Sequence, residues 1–127
     1  MALVALVSLL ILVQYLIFTM LCGAERGRSG LAAPAVTGDP GFERAYRVQM
    51  NTLEQMVVTL PALWLSGLYF NPEVAASLGL AFLVGRVLYR NSYVRDPAKR
   101  GPGMIIGFVA NIALLGTALW GMVPHLW

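Results

Sequence analysis

Arg44, Arg47, Asn51 and Glu54 follow one another at spacings of three, four and three. On an α-helix that spacing puts all four on one face. A second set, Arg86, Tyr89, Arg90 and Tyr93, repeats the pattern further along the chain. Arginine grips carboxylates through two parallel N–H groups. Glu54 suits an ammonium group, and Asn51 and Gln49 suit peptide amides. Two phenols donate to a carboxylate or a thiolate. A small zwitterionic peptide with more than one carboxylate fits this combination. Metal chemistry is not indicated: His125 is the one histidine and Cys22 the one cysteine, so no ligand set forms. The sequence also lacks a Gly-rich phosphate loop and a Ser-His-Asp set.

The elements that position these residues follow from composition. The chain has 127 residues, 58% hydrophobic and 12% charged, with a mean hydropathy of +0.71. Soluble domains carry about a quarter charged residues, so a membrane class comes first. At about 20 residues per span, the length accommodates four short-looped helices and no soluble domain. The apolar run "MALVALVSLLILVQYLIFTML" lacks a basic leader and is too long for a signal peptide, so it reads as a retained helix. Leu21 is too bulky for a lipoprotein site at Cys22. We expect an all-α integral membrane protein, a single domain over 1–127, with helices at about 3–22, 42–70, 73–93 and 103–123. Asn71-Pro72 marks a stop and restart. Pro61 is a kink that membrane helices tolerate.

The net charge of +3 and pI of about 9.4 raise the question of nucleic acid. Placement answers it. All nine Lys and Arg residues fall at the first loop, the third loop or the helix ends beside them. They lie on one side of the membrane, which the positive-inside rule makes cytoplasmic, with both termini outside. A helix from 42 to 70 is about 42 Å long, against a hydrocarbon core of about 30 Å. The excess accommodates Glu43, Arg44 and Arg47, but Asn51 and Glu54 sit at or below the interface. A charge deep in a bilayer costs about 2.5–3.5 kcal/mol, which pairing or a ligand must offset. Simpler roles stand beside the functional one. Arg44, Arg90, Arg95 and Lys99 suit topology anchors, Arg47–Glu54 a structural pair, and Tyr89 and Tyr93 an interfacial belt.

The segments "PAVTGDPGFERAYRVQMNTLE", "LYFNPEVAASLGLAFLVGRVLYRNSY" and "RDPAKR" resemble the MAPEG family, the membrane-associated proteins in eicosanoid and glutathione metabolism. The likeness is greatest to the subgroup of leukotriene C synthase and related microsomal glutathione transferases. It implies a homotrimer of four-helix subunits binding glutathione, as co-substrate, at each interface near the cytoplasmic face. Carried over by position, it implies glutathione contacts from Arg47, Asn51, Glu54, Tyr89 and Tyr93 of one subunit. Arg26, Gln49 and Arg86 would approach from the neighbour, with Arg28 as an alternative to Arg26. Arg100 matches the arginine that stabilises the thiolate, the catalytic role. Gln55 departs from the subgroup, which has an aromatic contact there.

The implied activity is glutathione transfer, with peroxidase activity beside it, on lipophilic electrophiles or hydroperoxides drawn from membrane lipid. Two alternatives are a non-enzymatic lipid- or glutathione-binding protein and a small four-helix transporter. Glu54, Tyr93 and Arg100 together favour the enzyme. The short chain suggests a bacterial inner membrane. A reporter fused at Trp127 should read out as extracytoplasmic; a cytoplasmic signal would overturn the charge-based topology.

Overall fold

The computed structural model describes residues 1–127 as four long helices. They are α1 (Ala2–Ser29), α2 (Pro40–Tyr69), α3 (Pro72–Arg95) and α4 (Gly101–Met122). Short 3-10 turns at Pro97–Lys99 and Val123–His125 flank α4. α1, α3 and the Pro97–His125 stretch are long and apolar enough to cross a membrane. α2 is just as long, but its first half is polar.

The helix boundaries have local causes. α1 runs to Ser29 rather than to about residue 22, because Gly23 and Gly27 do not break a helix by themselves. It stops at Gly30, whose φ of 71° is left-handed and whose N–H bonds back to the Arg26 carbonyl. The expected loop from 23 to 41 therefore shrinks to 30–39, and Arg26 and Arg28 belong to the last turn of α1. Asp39 caps α2, its carboxylate accepting from the Phe42 N–H at 2.9 Å, and Pro40 follows at the first helical position. That N–H, followed by the charge of Arg28, holds the Asp39 carboxyl below the usual range. Asn71 caps α3 in the same way through the Glu73 and Val74 N–H groups.

α2 packs against each of the other three helices. The main core joins Val4, Val7 and Ile11 of α1, Leu63 of α2, Phe82 of α3 and Leu114 of α4. Polar side chains inside this core bond across helices, as a low-dielectric interior requires. Thr59 donates to Asn111 at 2.6 Å, and Asn111 donates to Gln55 at 3.0 Å. Ser66 and Thr117 pair at 2.7 Å, and Gln14 donates to the Leu83 carbonyl at 2.9 Å. The polar interruptions in α1 and α4 are thus interhelical fasteners.

One end of the bundle collects the basic residues. Arg28 bridges Glu25 and Asp39 at 2.7 and 2.6 Å, tying the end of α1 to the start of α2. Arg44 donates to the Val94 and Arg95 carbonyls at 3.2 and 3.3 Å. Its guanidinium occupies acceptors that α3 leaves free at its C-terminus, a structural role beyond that of a topology anchor.

α3 and α4 approach through glycine. A Cβ on Gly103 would overlap the Tyr89 N–H and lie 2.7 Å from the Tyr89 Cα and 2.8 Å from the Gly85 carbonyl oxygen. Backbone on both sides leaves nothing to yield. Gly103→Ala should therefore push α4 away from Tyr89 and cost about 1–3 kcal/mol. Thermal unfolding in detergent checks this, and an unchanged midpoint would contradict it.

Candidate functional site

The two polar faces meet. α2 presents Arg47, Asn51 and Gln55; α3 presents Arg86, Tyr89 and Tyr93; the start of α4 adds Arg100 and Met104. Between them lie two cavities. The outer one, about 370 Å³, is lined by Arg47, Asn51, Tyr89, Tyr93, Arg100 and Met104. The inner one, about 160 Å³, is lined by Asn51, Gln55, Arg86, Met104, Gly107 and Phe108. Asn51 and Met104 belong to both walls.

Arg86 is the most unusual residue. It is only 2% exposed, yet no carboxylate pairs with it. Its Nε and Nη2 donate to Thr52 Oγ1 at 3.2 and 2.9 Å, and its guanidinium lies 4.2 Å from the centre of the Tyr89 ring. The hydroxyl and the ring face provide partial negative charge. Tyr89 is buried and stacks on Tyr93 with ring centres 5.5 Å apart, so the three side chains form one layered unit.

Arg47 and Glu54 form an ion pair at 3.2 Å, with both side chains about half exposed. They lie two turns apart on the outer face of α2. Asn51, between them, is half-buried; its Oδ1 is fully enclosed and has no hydrogen-bond partner. An orphaned, enclosed amide oxygen costs about 1–3 kcal/mol. Arg100 is exposed at the head of α4. Its Nη1 donates to the Pro97 carbonyl at 2.9 Å, so the Pro97–Lys99 turn fixes its direction. Asp96 holds that turn through the Ala98 N–H.

Of the nine residues expected from the sequence, six line the two cavities: Arg47, Asn51, Arg86, Tyr89, Tyr93 and Arg100. Glu54 joins them through Arg47. Arg26 and Gln49 line neither cavity. Arg26 donates to the Leu31 and Ala35 carbonyls at 3.2 and 2.9 Å, and its guanidinium sits 4.3 Å above the Phe42 ring. It fastens the first loop. Gln49 is half-buried on a different face of α2. Arg28, the alternative to Arg26, is held by its two carboxylates. Arg90 reaches only its neighbour Asn91, at 3.5 Å. Thr52 was missed. Its signal is the row Val48, Thr52, Met56, Thr59, Leu63, the buried stripe of α2. Met104 was missed too, because nothing local marks its side chain.

The MAPEG family profile matches residues 4–120. The chain belongs to the MAPEG family. It is 39% identical to human microsomal glutathione S-transferase 2 over 116 residues, covering 90% of this chain and 79% of the relative. It is 32% identical to bovine leukotriene C4 synthase over 124 residues, covering 98% and 83% respectively. An uncharacterised Synechocystis protein is 41% identical over 122 residues, covering 96% and 89%. Membership extends across the helices that form both cavities.

The structure makes Thr52 the acceptor on which the buried Arg86 depends. Thr52→Val keeps the shape and removes both hydrogen bonds. It should destabilise the fold by about 1.5–3 kcal/mol, the range for bonds to a charged group. Thermal unfolding measures this, and Thr52→Ser should restore most of the loss.

Proposed function

We propose that this protein is a membrane glutathione transferase, which also reduces hydroperoxides, and that it activates the glutathione thiol in the outer cavity. The observation that carries the reading is the convergence of Arg47, Asn51, Tyr89, Tyr93 and Arg100 on one cavity of about 370 Å³. The kinship with human microsomal glutathione S-transferase 2 supports it.

Each residue has a chemical task. Arg47 grips a glutathione carboxylate. Glu54 faces the ammonium, and Asn51 offers its side-chain amide to a peptide group. Tyr89 and Tyr93 donate phenol O–H groups. Arg100 faces the sulfur. A thiol with a pKa of about 8.5 is only a few per cent ionised at neutral pH. Lowering that pKa by about two units takes roughly 2.7 kcal/mol. A guanidinium at a helix N-terminus is suited to this, because the helix dipole adds positive potential there. The thiolate then attacks a lipophilic electrophile that arrives from the bilayer.

In this reading α2 is the fourth span and the protein is a homotrimer. The Arg47–Glu54 pair supports both. It lies well inside the length of α2, yet both side chains are about half exposed. Charges at that depth need a polar neighbour rather than lipid, and a second copy supplies one. Arg26 and Gln49 would serve the neighbouring copy's site. The active site would face the cytoplasm, in a bacterial inner membrane.

Conjugation of glutathione to a chlorinated nitrobenzene by purified protein in detergent tests the activity. Arg100→Ala should lower turnover about 100-fold and raise the apparent pKa of bound glutathione, followed by thiolate absorbance. Glutathione affinity should change far less. Lys99→Ala is the control and should be silent. An unchanged titration and turnover in Arg100→Ala would remove Arg100 from the mechanism.

A further inference from the structure

A groove of about 310 Å³ opens between α1 and α3, apart from both cavities described above. The stretch of α1 from Leu10 to Phe18 forms one wall, and Leu83 and Val87 of α3 form the other. Gln14 pins the two walls together by donating to the Leu83 carbonyl at 2.9 Å. Leu10, Val13, Ile17 and Val87 are each 39–50% exposed, so the groove faces outward. Both helices are long and apolar enough to cross a membrane, and at that depth the groove meets acyl chains.

A cation stands at the basic end of this groove. Leu83, Val87 and Arg90 follow at spacings of four and three, so Arg90 continues the groove wall on the same face of α3. It lies five residues before the end of α3, about 7.5 Å along the axis, and from there its long side chain reaches the headgroups. Arg90 is half-buried, and it donates to Asn91 Oδ1 at 3.5 Å, which is long for a hydrogen bond. The three ion pairs of the chain use Arg28 and Arg47 and leave Arg90 without a carboxylate. The acids nearest in sequence are engaged elsewhere. On α1, Glu25 is held by Arg28 at 2.7 Å, and after α3, Asp96 accepts from the Ala98 N–H at 3.1 Å. Arg95 and Lys99 are exposed, form no ion pair and add positive potential at the same end.

We propose that the α1–α3 groove and Arg90 form a binding site for an anionic phospholipid, with one acyl chain in the groove and the headgroup phosphate on the guanidinium. The site uses no residue of the glutathione reading and does not rest on it. Its two halves do different work. Lipid tails are as apolar as the groove, so packing there fixes a chain in place without choosing among lipids. Arg90 does the choosing, because a guanidinium takes two phosphate oxygens through parallel N–H groups. A free phosphate meets the same cation but gains nothing from the groove, and an uncharged lipid fills the groove but leaves Arg90 unpaired. Only a molecule carrying both parts satisfies the whole site.

Native mass spectrometry of delipidated protein in a neutral detergent tests this, with dioleoyl phosphatidylglycerol as the probe and dioleoyl phosphatidylcholine as the reference. The wild type should retain phosphatidylglycerol more tightly than phosphatidylcholine, and glycerol 3-phosphate should not displace it. Arg90→Gln should weaken phosphatidylglycerol at least about tenfold, as loss of a charged hydrogen bond does. Lys99→Gln removes the same charge away from the groove and should weaken it less than about threefold. Val87→Trp fills the groove, leaves Arg90 in place and should also weaken binding about tenfold. Equal losses in Arg90→Gln and Lys99→Gln would show a diffuse attraction and overturn the inference. Unaltered binding in Val87→Trp, displacement by glycerol 3-phosphate, or equal retention of the two lipids by the wild type would overturn it as well.

Discussion

A guanidinium buried between two helices, with a single hydroxyl and a ring face for company, constrains everything around it. Thr52 and Tyr89 supply the contacts that hold the buried Arg86 guanidinium inside the bundle. Thr52 fixes the rotation of α2, and Tyr89 fixes α3 against the start of α4. Gly103 allows α4 to come close enough for Arg100 and Met104 to complete the cavities. The site is therefore set by three helices at once, and none of them presents it alone.

The same arrangement explains why so polar a segment enters so apolar a helix. The first half of α2 turns one face, through Val48 and Thr52, into the bundle. The face bearing Arg47, Asn51 and Glu54 lines or borders the cavity. Hydrogen bonds within the core, such as Thr59 to Asn111, hold the apolar half of α2 in register. The charged end is closed by Arg28 on Asp39 and by Arg44 on the α3 carbonyls. Inside the core, where water cannot substitute for a lost partner, such contacts hold the helices that carry the site.

Much of this was legible in the sequence, for physical reasons. The 3-4-3 spacing of Arg44, Arg47, Asn51 and Glu54 fixes a helix face without reference to any partner. Runs of about 20 apolar residues announce their helices, and Asn71-Pro72 announces a boundary. What stayed hidden depends on tertiary contact. The extension of α1 to Ser29 turned on a left-handed glycine rather than on composition. The loop-fastening role of Arg26 required the Leu31 and Ala35 carbonyls to fold beneath it. Thr52 and Met104 carry no distinctive local pattern, and the division into two cavities appears only when α4 is in place.

The account stands or falls on whether the α2–α3 face holds glutathione through its charges. Glu54 tests this most directly, because it is half exposed and Glu54→Gln preserves its shape. Calorimetric titration of glutathione into the detergent-purified wild type and variant gives the answer. The account predicts binding to the wild type, weakened by about 1.5–3 kcal/mol in the variant. Equal affinity in the two proteins would contradict it.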